Sequence, residues 1–210
     1  MLAAEARWIG ERISALGLGG DQTVIDVGSS SEPFRCLIQP HIDFEIFRPL
    51  REAGVRIVHV DARADEGVDV VADVTDPAEV PDELRGAGDV VISASMLEHI
   101  PERRGAIACL RELTRPGGRL VLTAPRRFPR HRDPVDTGYR PTADELAVDL
   151  GDGFEIEAKT LIEDSVEMRV TDGPMLRHTG RLLMLAGARM IRRSSMPRRV
   201  QIVAVLARRV

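Results

Sequence analysis

The stretch TVIDVGSSSEPF, residues 23–34, decides the fold. Its first five residues are apolar or β-branched apart from Asp26, which is typical of a buried strand. Gly28 follows at the strand end, where a residue without a Cβ lets the backbone turn tightly and approach a ligand. A helical stretch begins near Pro33. The segment therefore predicts a buried strand, a glycine turn and a helix, the unit from which parallel α/β sheets are built.

The rest of the chain repeats this alternation of strand and helix. Further strands are predicted at residues 56–62, 68–74, 89–95, 119–125, 154–162 and 200–209. Helices are predicted at residues 3–16, 33–53, 101–115 and 174–193, with further ones opening at Asp76-Pro77 and, through a capping box, at Thr142 and Glu145. We therefore expect an α/β fold with a doubly wound, Rossmann-like, seven-stranded and mostly parallel sheet whose last strand is antiparallel.

Within the 210 residues we expect one domain. Three segments are set apart by their composition. Residues 1–20 predict an N-terminal cap helix, in which the lone tryptophan, Trp8, belongs either to a lid over the cofactor or to the core. Residues 126–142 are rich in charge and proline, which is typical of a substrate-binding loop beside a strand end. Residues 174–193 predict a basic amphipathic helix.

Composition narrows the class of protein. The 43% apolar and 30% charged content is that of a soluble globular protein, and no apolar window is long enough for a membrane span. The only cysteines, Cys36 and Cys109, lack metal-like spacing and predict buried thiols in the reducing cytoplasm. The low pI of about 5.8 and the 3% aromatic content disfavour nucleic acid as a partner.

The C-terminal fifth has the opposite charge to the rest of the chain. From Arg169 onward there are ten arginines and one acid, Asp172. On a helical wheel, one half carries the basic residues Arg177, His178, Arg181, Arg189, Arg192 and Arg193. This pattern predicts either a solvated basic face or contact with an anionic substrate or a membrane surface.

Three predicted strand ends carry the residues of a nucleotide-like cofactor site: Gly28 after the first strand, Asp61 after the second and Asp73 after the third. In an open α/β sheet, ligands bind beyond these carboxyl ends. A dinucleotide fingerprint placed on Gly28 would need glycines where Ser30 and Pro33 stand, and no P-loop occurs. A cofactor without phosphates needs fewer glycines, and S-adenosylmethionine (SAM) is such a cofactor.

The ordered runs VIDVGSSSEPF, HVDAR, VVADVTD, DVVISASMLEHIP and LRELTRPGGRLVLTAP resemble the motifs of class I SAM-dependent methyltransferases. The resemblance covers most of residues 20–155, and it departs from the family in having one glycine, followed by serines, in the first motif. It implies cofactor-binding roles for Asp26, Gly28, Ser29, Ser30, Asp61, Ala62, Asp73, Val74, Ser93 and Ala94. In the family, the first motif contacts the methionine part, the acid after strand two binds ribose and the acid after strand three binds adenine.

These acids also have simpler interpretations. Asp26 orients the loop through backbone hydrogen bonds, or it touches the ligand. Asp61 and Asp73 bind the nucleoside, or they terminate their strands. Ser93 and Ala94, at the end of the fourth strand, would lie beneath the sulfonium.

Candidate catalytic bases cluster after the fourth and fifth strands, where a methyl acceptor would lie. They are His99 and His131, since a neutral imidazole can remove the proton of a hydroxyl. The MLEHIP stretch resembles ubiquinone-pathway O-methyltransferases, which implies an oxygen acceptor. We expect Met96, Tyr139 and Arg140 to bind substrate, unless Arg140 instead pairs with Asp136 and closes the loop.

Two alternatives stay open at this point. The first is a metal-assisted methyltransferase acting on a 2′-hydroxyl or a catechol, with Glu98, His99, His131 and Asp133 holding a divalent ion. The second is a non-catalytic protein that keeps the fold. The preferred prediction is a cytoplasmic SAM-dependent O-methyltransferase of a small-molecule biosynthetic intermediate such as a specialised metabolite, a glycan or a quinone-like compound, with a homodimer as one assembly.

Overall fold

Seven strands form one sheet in the computed structural model, which describes residues 1–130, 135–166 and 198–210. The strands are β1 Thr23–Val27, β2 Arg56–Asp61, β3 Val70–Val71, β4 Gly88–Ala94, β5 Thr114–Arg127, β6 Phe154–Val166 and β7 Arg198–Arg209. The α-helices are α1 Ala3–Ser14, α2 Pro40–Ile42, α3 Arg48–Glu52, α4 Arg103–Leu113 and α5 Ala143–Leu150. Short 3-10 turns lie at Pro77–Glu79, Asp82–Leu84, Leu97–His99 and Gly151–Gly153.

The strand order is β3-β2-β1-β4-β5-β7-β6. Strands β3, β2, β1, β4 and β5 are parallel to their neighbours, whereas β7 runs antiparallel to both β5 and β6. The order reverses between β1 and β4, so the carboxyl ends of these two strands border the crevice where such sheets bind ligands. The predicted fold class, including the antiparallel last strand, is confirmed.

Both faces of the sheet are covered, because successive β1 residues alternate between them. Val24 packs in the cluster that contains Ile9 of α1, and Ile25 packs in the one that contains Leu110 of α4. All of these side chains are fully buried. Each contributes roughly 1.5–3 kcal/mol through burial. This two-sided packing holds the ends of β1 and β4 in place.

The predicted helix over residues 33–53 is wrong as a continuous element. The segment contains α2 and α3, with π-helical turns at Phe34–Ile38 and Asp43–Phe47 before each of them. Pro40 and Pro49 lie in the first turns of the two helices. Because proline has no amide hydrogen to donate, neither position can extend a regular α-helical hydrogen-bond ladder. The path breaks at Gln39, before Pro40, whereas Phe47 and Arg48 stay helical before Pro49 and the turn there is π-helical.

The third strand and the fourth helix are shorter than predicted. Strand β3 keeps only Val70 and Val71 of the predicted 68–74, since Asp73 forms a turn by accepting from the amide and hydroxyl of Thr75. Helix α4 ends at Leu113 rather than at Arg115, and residues 116–118 lie inside β5, where the pairing with β4 is irregular. Pro116, Gly117 and Gly118 thus lie in the distorted start of β5.

Other expectations at the ends of the chain are confirmed. Helix α1 occupies the predicted N-terminal segment, and α5 begins at the capping box formed by Thr142 and Glu145. Strands β6 and β7 extend beyond the predicted 154–162 and 200–209, and alternate β6 residues are exposed at the sheet edge, as predicted.

Trp8 and the two cysteines take ordinary structural places. Trp8 is partly buried and packs against the cluster of Ile162 and Ile202, which matches its interpretation as a core residue. Both thiols are free; Cys109 is buried as predicted, but Cys36 is partly exposed because its turn lies at the protein surface. No helix among the described residues is long and apolar enough to cross a membrane. The predicted basic helix 174–193 lies outside the described residues.

Candidate active site at the carboxyl edge of the sheet

The turn after β1 brings the end of the first strand against the end of β2. The amides of Gly28 and Ser29 both donate to the carbonyl of Val60, over 2.9 and 3.1 Å. Gly28 has a φ of +77° and Ser30 a φ of +57°. This left-handed conformation costs a serine about 1–2 kcal/mol. Contacts from outside the turn must therefore hold it in this shape.

Arg35 supplies these contacts. It is 4% exposed, and its Nη1 donates to the carbonyls of Ser29, at 3.1 Å, and Ser30. Its Nη2 donates to the carbonyl of Gly67 at 2.7 Å, in the loop between β2 and β3. The rigid fork of a guanidinium suits three carbonyls on two loops. Sequence analysis missed this residue, whose only signal is an arginine among the apolar residues of FRCLI (34–38).

Asp61 joins the same turn from the end of β2. Its Oδ2 accepts from the amide of Ser30 at 2.8 Å, and its Oδ1 accepts from the amide of Arg63 at 3.1 Å. The carboxylate is partly exposed, and Ala62 beside it is exposed. The structure therefore brings Gly28, Ser30 and Asp61 together at one edge, with acceptor capacity left on the Asp61 carboxylate.

Asp26 lies one layer below this edge. Its carboxylate, on a residue 6% exposed, contacts Nδ1 of His59 at 2.9 Å, and His59 meets the ring of Phe47 edge-on at 4.9 Å between centroids. Sequence analysis missed His59, whose signal is its position opposite Asp26 on the paired strand. This pair ties β1 to β2 directly beneath the turn.

Asp73 and Val74 extend the edge past β3. The Asp73 carboxylate is exposed and accepts from Thr75. The backbone amide of Asp73 donates to Glu79 Oε2 at 2.9 Å. Val74 is buried in the core beneath it. Asp73 is thus exposed beyond the end of β3, whereas Val74 packs in the core.

The end of β4 meets the β1 turn through Met96. A Cβ added to Gly28 would lie 3.0 Å from Met96 Sδ, and the hydroxyl of Ser93 is 3.7 Å from the same sulfur. Ser93 is fully buried and Ala94 partly so. The predicted cofactor residues of β1 and β4 are therefore neighbours, joined by a flexible side chain.

Helix α1 covers this edge with a buried acid that sequence analysis missed. Glu5 is fully buried; its Oε1 accepts from the hydroxyls of Ser95 and Thr123 at 3.1 and 2.5 Å, and its Oε2 accepts from the amide of Leu2. Ser95 has a φ of +49°. The signal for Glu5 was an acid on the apolar face of an amphipathic helix.

Glu98 and His99 follow β4, where the methyl acceptor is predicted to lie. Glu98 is 2% exposed, and its Oε1 lies 3.8 Å from Nε2 of His99. His99 Nδ1 is 2.5 Å from the carbonyl of Val135, and the amide and hydroxyl of Thr137 both donate to the Glu98 carbonyl. The described part of the loop after β5 is thus fastened onto the segment after β4.

The polar side chains of that loop are largely engaged with one another. Arg140 pairs with the buried Asp136 through both guanidinium nitrogens, which matches the loop-closing alternative. The hydroxyl of Tyr139 donates to Asp149, and the ring lies 4.2 Å from the Arg103 guanidinium. Burial, together with this bond to Asp149, raises the pKa of Tyr139 far above its usual range. Tyr139 therefore keeps its proton at neutral pH.

The metal alternative depends partly on His131 and Asp133, which lie outside the described residues, as does the histidine's predicted catalytic role. Across residues 1–130, 135–166 and 198–210, no group of three or more histidine, cysteine, aspartate or glutamate side chains could hold a metal ion.

A family model of the methyltransferase domain matches residues 3–189. The chain belongs to the methyltransferase domain family. This finding confirms the resemblance to class I SAM-dependent methyltransferases that the ordered motifs carry. No protein of curated function matches the chain.

Solved methyltransferase structures share the fold. The 1,6-didemethyltoxoflavin N1-methyltransferase of Burkholderia thailandensis superposes with a TM-score of 0.60 at 16% identity, covering 99% of this chain and 79% of that one. A putative methyltransferase from Bacillus halodurans C-125 gives 0.59 at 13% identity, covering 95% and 97%. The geranyl diphosphate C-methyltransferase of Streptomyces coelicolor A3(2) gives 0.57 at 15% identity, covering 99% and 80%.

Substitution of Gly28 tests whether the first motif of this methyltransferase requires a glycine at this position. Ala at position 28 would place its Cβ 3.0 Å from Met96 Sδ at a φ of +77°, whereas Ala at Gly86, with a φ of +67°, would meet nothing within 4 Å. We expect both variants to lose about 1 kcal/mol of stability from backbone strain. Only Gly28→Ala should also weaken SAM binding, by at least about tenfold, because its methyl group enters the cofactor edge.

Calorimetric titration with SAM and thermal denaturation of both variants would check this expectation. Equal SAM affinity in Gly28→Ala and Gly86→Ala would show that the turn after β1 does not border the cofactor.

Glu98 gives a second prediction, on the pH dependence of stability. Burial, and to a smaller extent the neighbouring Glu5 carboxylate, raises the pKa of Glu98 from its ordinary 4.5 to about 7. The folded protein therefore holds a proton between these values that the unfolded chain releases, so stability falls as pH rises from about 4.5 to above 7. The loss is on the order of 2–3 kcal/mol.

Urea unfolding between pH 5 and pH 8 checks this difference against Glu98→Gln, which cannot titrate. The variant should be the more stable protein at pH 8 and should lose less stability over the range. Parallel pH curves for the two proteins would contradict the buried carboxyl's raised pKa.

Proposed function

We propose that this methyltransferase transfers the methyl group of SAM to a hydroxyl oxygen of a small-molecule biosynthetic intermediate. The observation that carries the proposal is the junction at Met96. There the glycine turn of β1, suited to a cofactor, meets the segment after β4 that bears the buried Glu98 and His99. Donor and acceptor sites must adjoin for an in-line methyl transfer, and this edge adjoins them.

The residues at the carboxyl edge fit SAM chemically. The missing side chain at Gly28 lets Met96 approach the β1 turn, and a methyl group at position 28 would crowd Met96 where the methionine part is expected to bind. Asp61 is a carboxylate with acceptor capacity for vicinal ribose hydroxyls, and the exposed Asp73 offers an acceptor for adenine. SAM, when bound, supplies a methyl group activated on a sulfonium sulfur.

His99 is the candidate base that the structure describes. In the neutral imidazole, Nδ1–H donates to the Val135 carbonyl, and this tautomer leaves Nε2 as the basic nitrogen. The imidazole is thereby oriented by the loop after β5. His131 stays a prediction, and both histidines support an oxygen acceptor because a hydroxyl must lose its proton during transfer.

A small-molecule substrate is supported by two of the structural neighbours, whose names specify methylation of a toxoflavin precursor and of geranyl diphosphate. They act at nitrogen and at carbon, so the choice of oxygen rests on this chain's own residues and on the MLEHIP resemblance. A reducing, cytoplasmic setting suits the two free thiols.

An anionic group on the substrate is favoured by one specific feature. A cleft of about 610 Å³ is lined by Arg126, Arg127, Phe128, Pro129 and Arg199. It lies where the chain leaves β5 and enters β7, beside the loop that covers Glu98. Its three guanidiniums suit a phosphate or carboxylate carried at a distance from the reacting hydroxyl.

The non-catalytic alternative loses its main support. Its only basis was the replacement of first-motif glycines by serines, yet Arg35 fastens the serine turn in a shape that still presents Gly28 and Asp61 together. The serines therefore do not argue against a cofactor site.

Asp61→Ala tests the cofactor half of the proposal. Loss of the carboxylate removes the expected acceptor for the ribose hydroxyls and frees the Ser30 amide, so SAM affinity should fall by at least about tenfold. Asp65→Ala is the matched control, since Asp65 is exposed in the same loop and its carboxylate accepts only from the Glu66 amide among the contacts described.

Isothermal titration of both variants and the wild type with SAM and with S-adenosylhomocysteine measures the effect. If folded wild type binds neither ligand, the result contradicts the proposed function and favours the non-catalytic alternative. Unaltered SAM affinity in Asp61→Ala would show that Asp61 does not bind the cofactor.

A further inference from the structure

One buried oxygen has no partner in the fold. Among the buried side-chain nitrogen and oxygen atoms of the described residues, only Glu98 Oε2 lacks a hydrogen bond. An unsatisfied buried polar atom costs about 1–3 kcal/mol, and more when it carries charge. Nearly all such atoms in native proteins are paired, so an orphan at a site edge requires an explanation in terms of what binds there.

The contacts between the Glu98 segment and the loop after β5 do not offset this cost. The loop after β5 is held through the Glu98 backbone carbonyl, which accepts from Thr137, and through His99, which contacts Val135. Neither contact uses the carboxyl group. A glutamine or an apolar side chain would serve the fold as well, without a buried ionisable group.

The neighbouring buried acid shows what a structural carboxylate looks like here. Glu5 faces the same edge from α1, and each of its oxygens has a partner: Leu2 for one, Ser95 and Thr123 for the other. It lies close enough to Glu98 to interact electrostatically. Only Glu98 is left with an oxygen to offer to a ligand.

The backbone beside these two acids is strained. Ser95 has a φ of +49°, a conformation that persists in a non-glycine residue only when its surroundings impose it, and such residues cluster at functional sites. Its hydroxyl bond to Glu5 and its amide bond to Thr123, at 3.0 Å, impose it here. Glu98, three residues further on, is buried.

We propose that Glu98 is the residue that binds the methyl acceptor, with Oε2 accepting the hydrogen of its hydroxyl and taking that proton as the methyl group is transferred. This inference rests on the proposed function and narrows its substrate class. With Glu5 and Glu98 both at the edge, the acceptor is neutral or cationic next to its reacting hydroxyl. Any anionic part lies farther away, where the arginine cleft begins.

The proton and electron balance of the step is simple. The acceptor oxygen forms a bond to the methyl carbon while the carbon–sulfur bond breaks, and that bond's electron pair stays on sulfur, which becomes neutral. The hydroxyl proton passes to the Glu98 carboxylate. His99 Nε2 lies 3.8 Å from Glu98 Oε1, so in this step the imidazole stands beside the carboxyl group that takes the proton and does not take it directly. Arg140 and the N-terminal amine, which also act on Glu98, favour its ionised form before the next cycle.

A cofactor analogue tests the proposal without knowledge of the acceptor. The probe is a SAM analogue in which a carbon bearing a primary amine replaces the methylsulfonium centre, so that an ammonium lies where the transferred methyl group would be. At pH 8, a carboxylate facing that position should make wild-type protein bind the analogue at least about tenfold more tightly than S-adenosylhomocysteine.

Calorimetric titration compares this preference in wild type, Glu98→Gln and the matched control Glu102→Gln, whose glutamate is exposed four residues further on. We expect the preference to disappear in Glu98→Gln and to persist in Glu102→Gln. Glu98→Met, which removes both oxygens, serves if Glu98→Gln does not fold and should show the same loss.

The outcomes separate this inference from the proposed function. Wild type that binds S-adenosylhomocysteine but shows no preference for the amine, or a Glu98 variant that retains the preference, overturns the role of Glu98 alone. Folded wild type that binds neither ligand overturns the proposed function first.

Discussion

The fork that Arg35 makes to three backbone carbonyls is the interaction on which the cofactor edge depends. It fastens Ser29 and Ser30, after β1, to Gly67 in the loop between β2 and β3. Because Asp61 ends β2 and bonds the Ser30 amide, the same fork sets the distance between glycine turn and acid. The left-handed serine in this turn is strained, and the buried Arg35 guanidinium offsets the strain with three hydrogen bonds. A lysine ammonium could not reach all three carbonyls.

The segment after β4, proposed to bind the acceptor, is held differently: helix α1 and the loop after β5 both contact it. Helix α1 reaches the edge through Glu5, and the loop after β5 reaches it through its contacts with Glu98 and His99. Met96 stands between this side and the β1 turn. The proposed donor and acceptor regions thus belong to adjacent strands at the switch point of the sheet.

The sequence predicted the sheet and the strand-end residues because both follow from local patterns: β-branched runs, a glycine after β1, and acids after β2 and β3. It failed where a side chain's environment depends on contacts between residues far apart in the sequence. Arg35, His59 and Glu5 look like unremarkable surface charges in the sequence, yet each is buried or nearly so by packing against a partner more than thirty residues away or on another loop. The helical region 33–53 is broken at Gln39, before Pro40, and contains π-helical turns, and β3 was overextended because Asp73 forms a turn with Thr75.

The most direct test of the account is SAM affinity in Arg35→Lys, measured by calorimetry beside wild type and beside Arg104→Lys, an exposed arginine on α4. Lysine keeps the charge but cannot span three carbonyls on two loops, so the account predicts SAM binding in wild type and in Arg104→Lys, and binding at least about tenfold weaker in folded Arg35→Lys. Equal affinity in all three proteins, or no SAM binding by folded wild type, would contradict it.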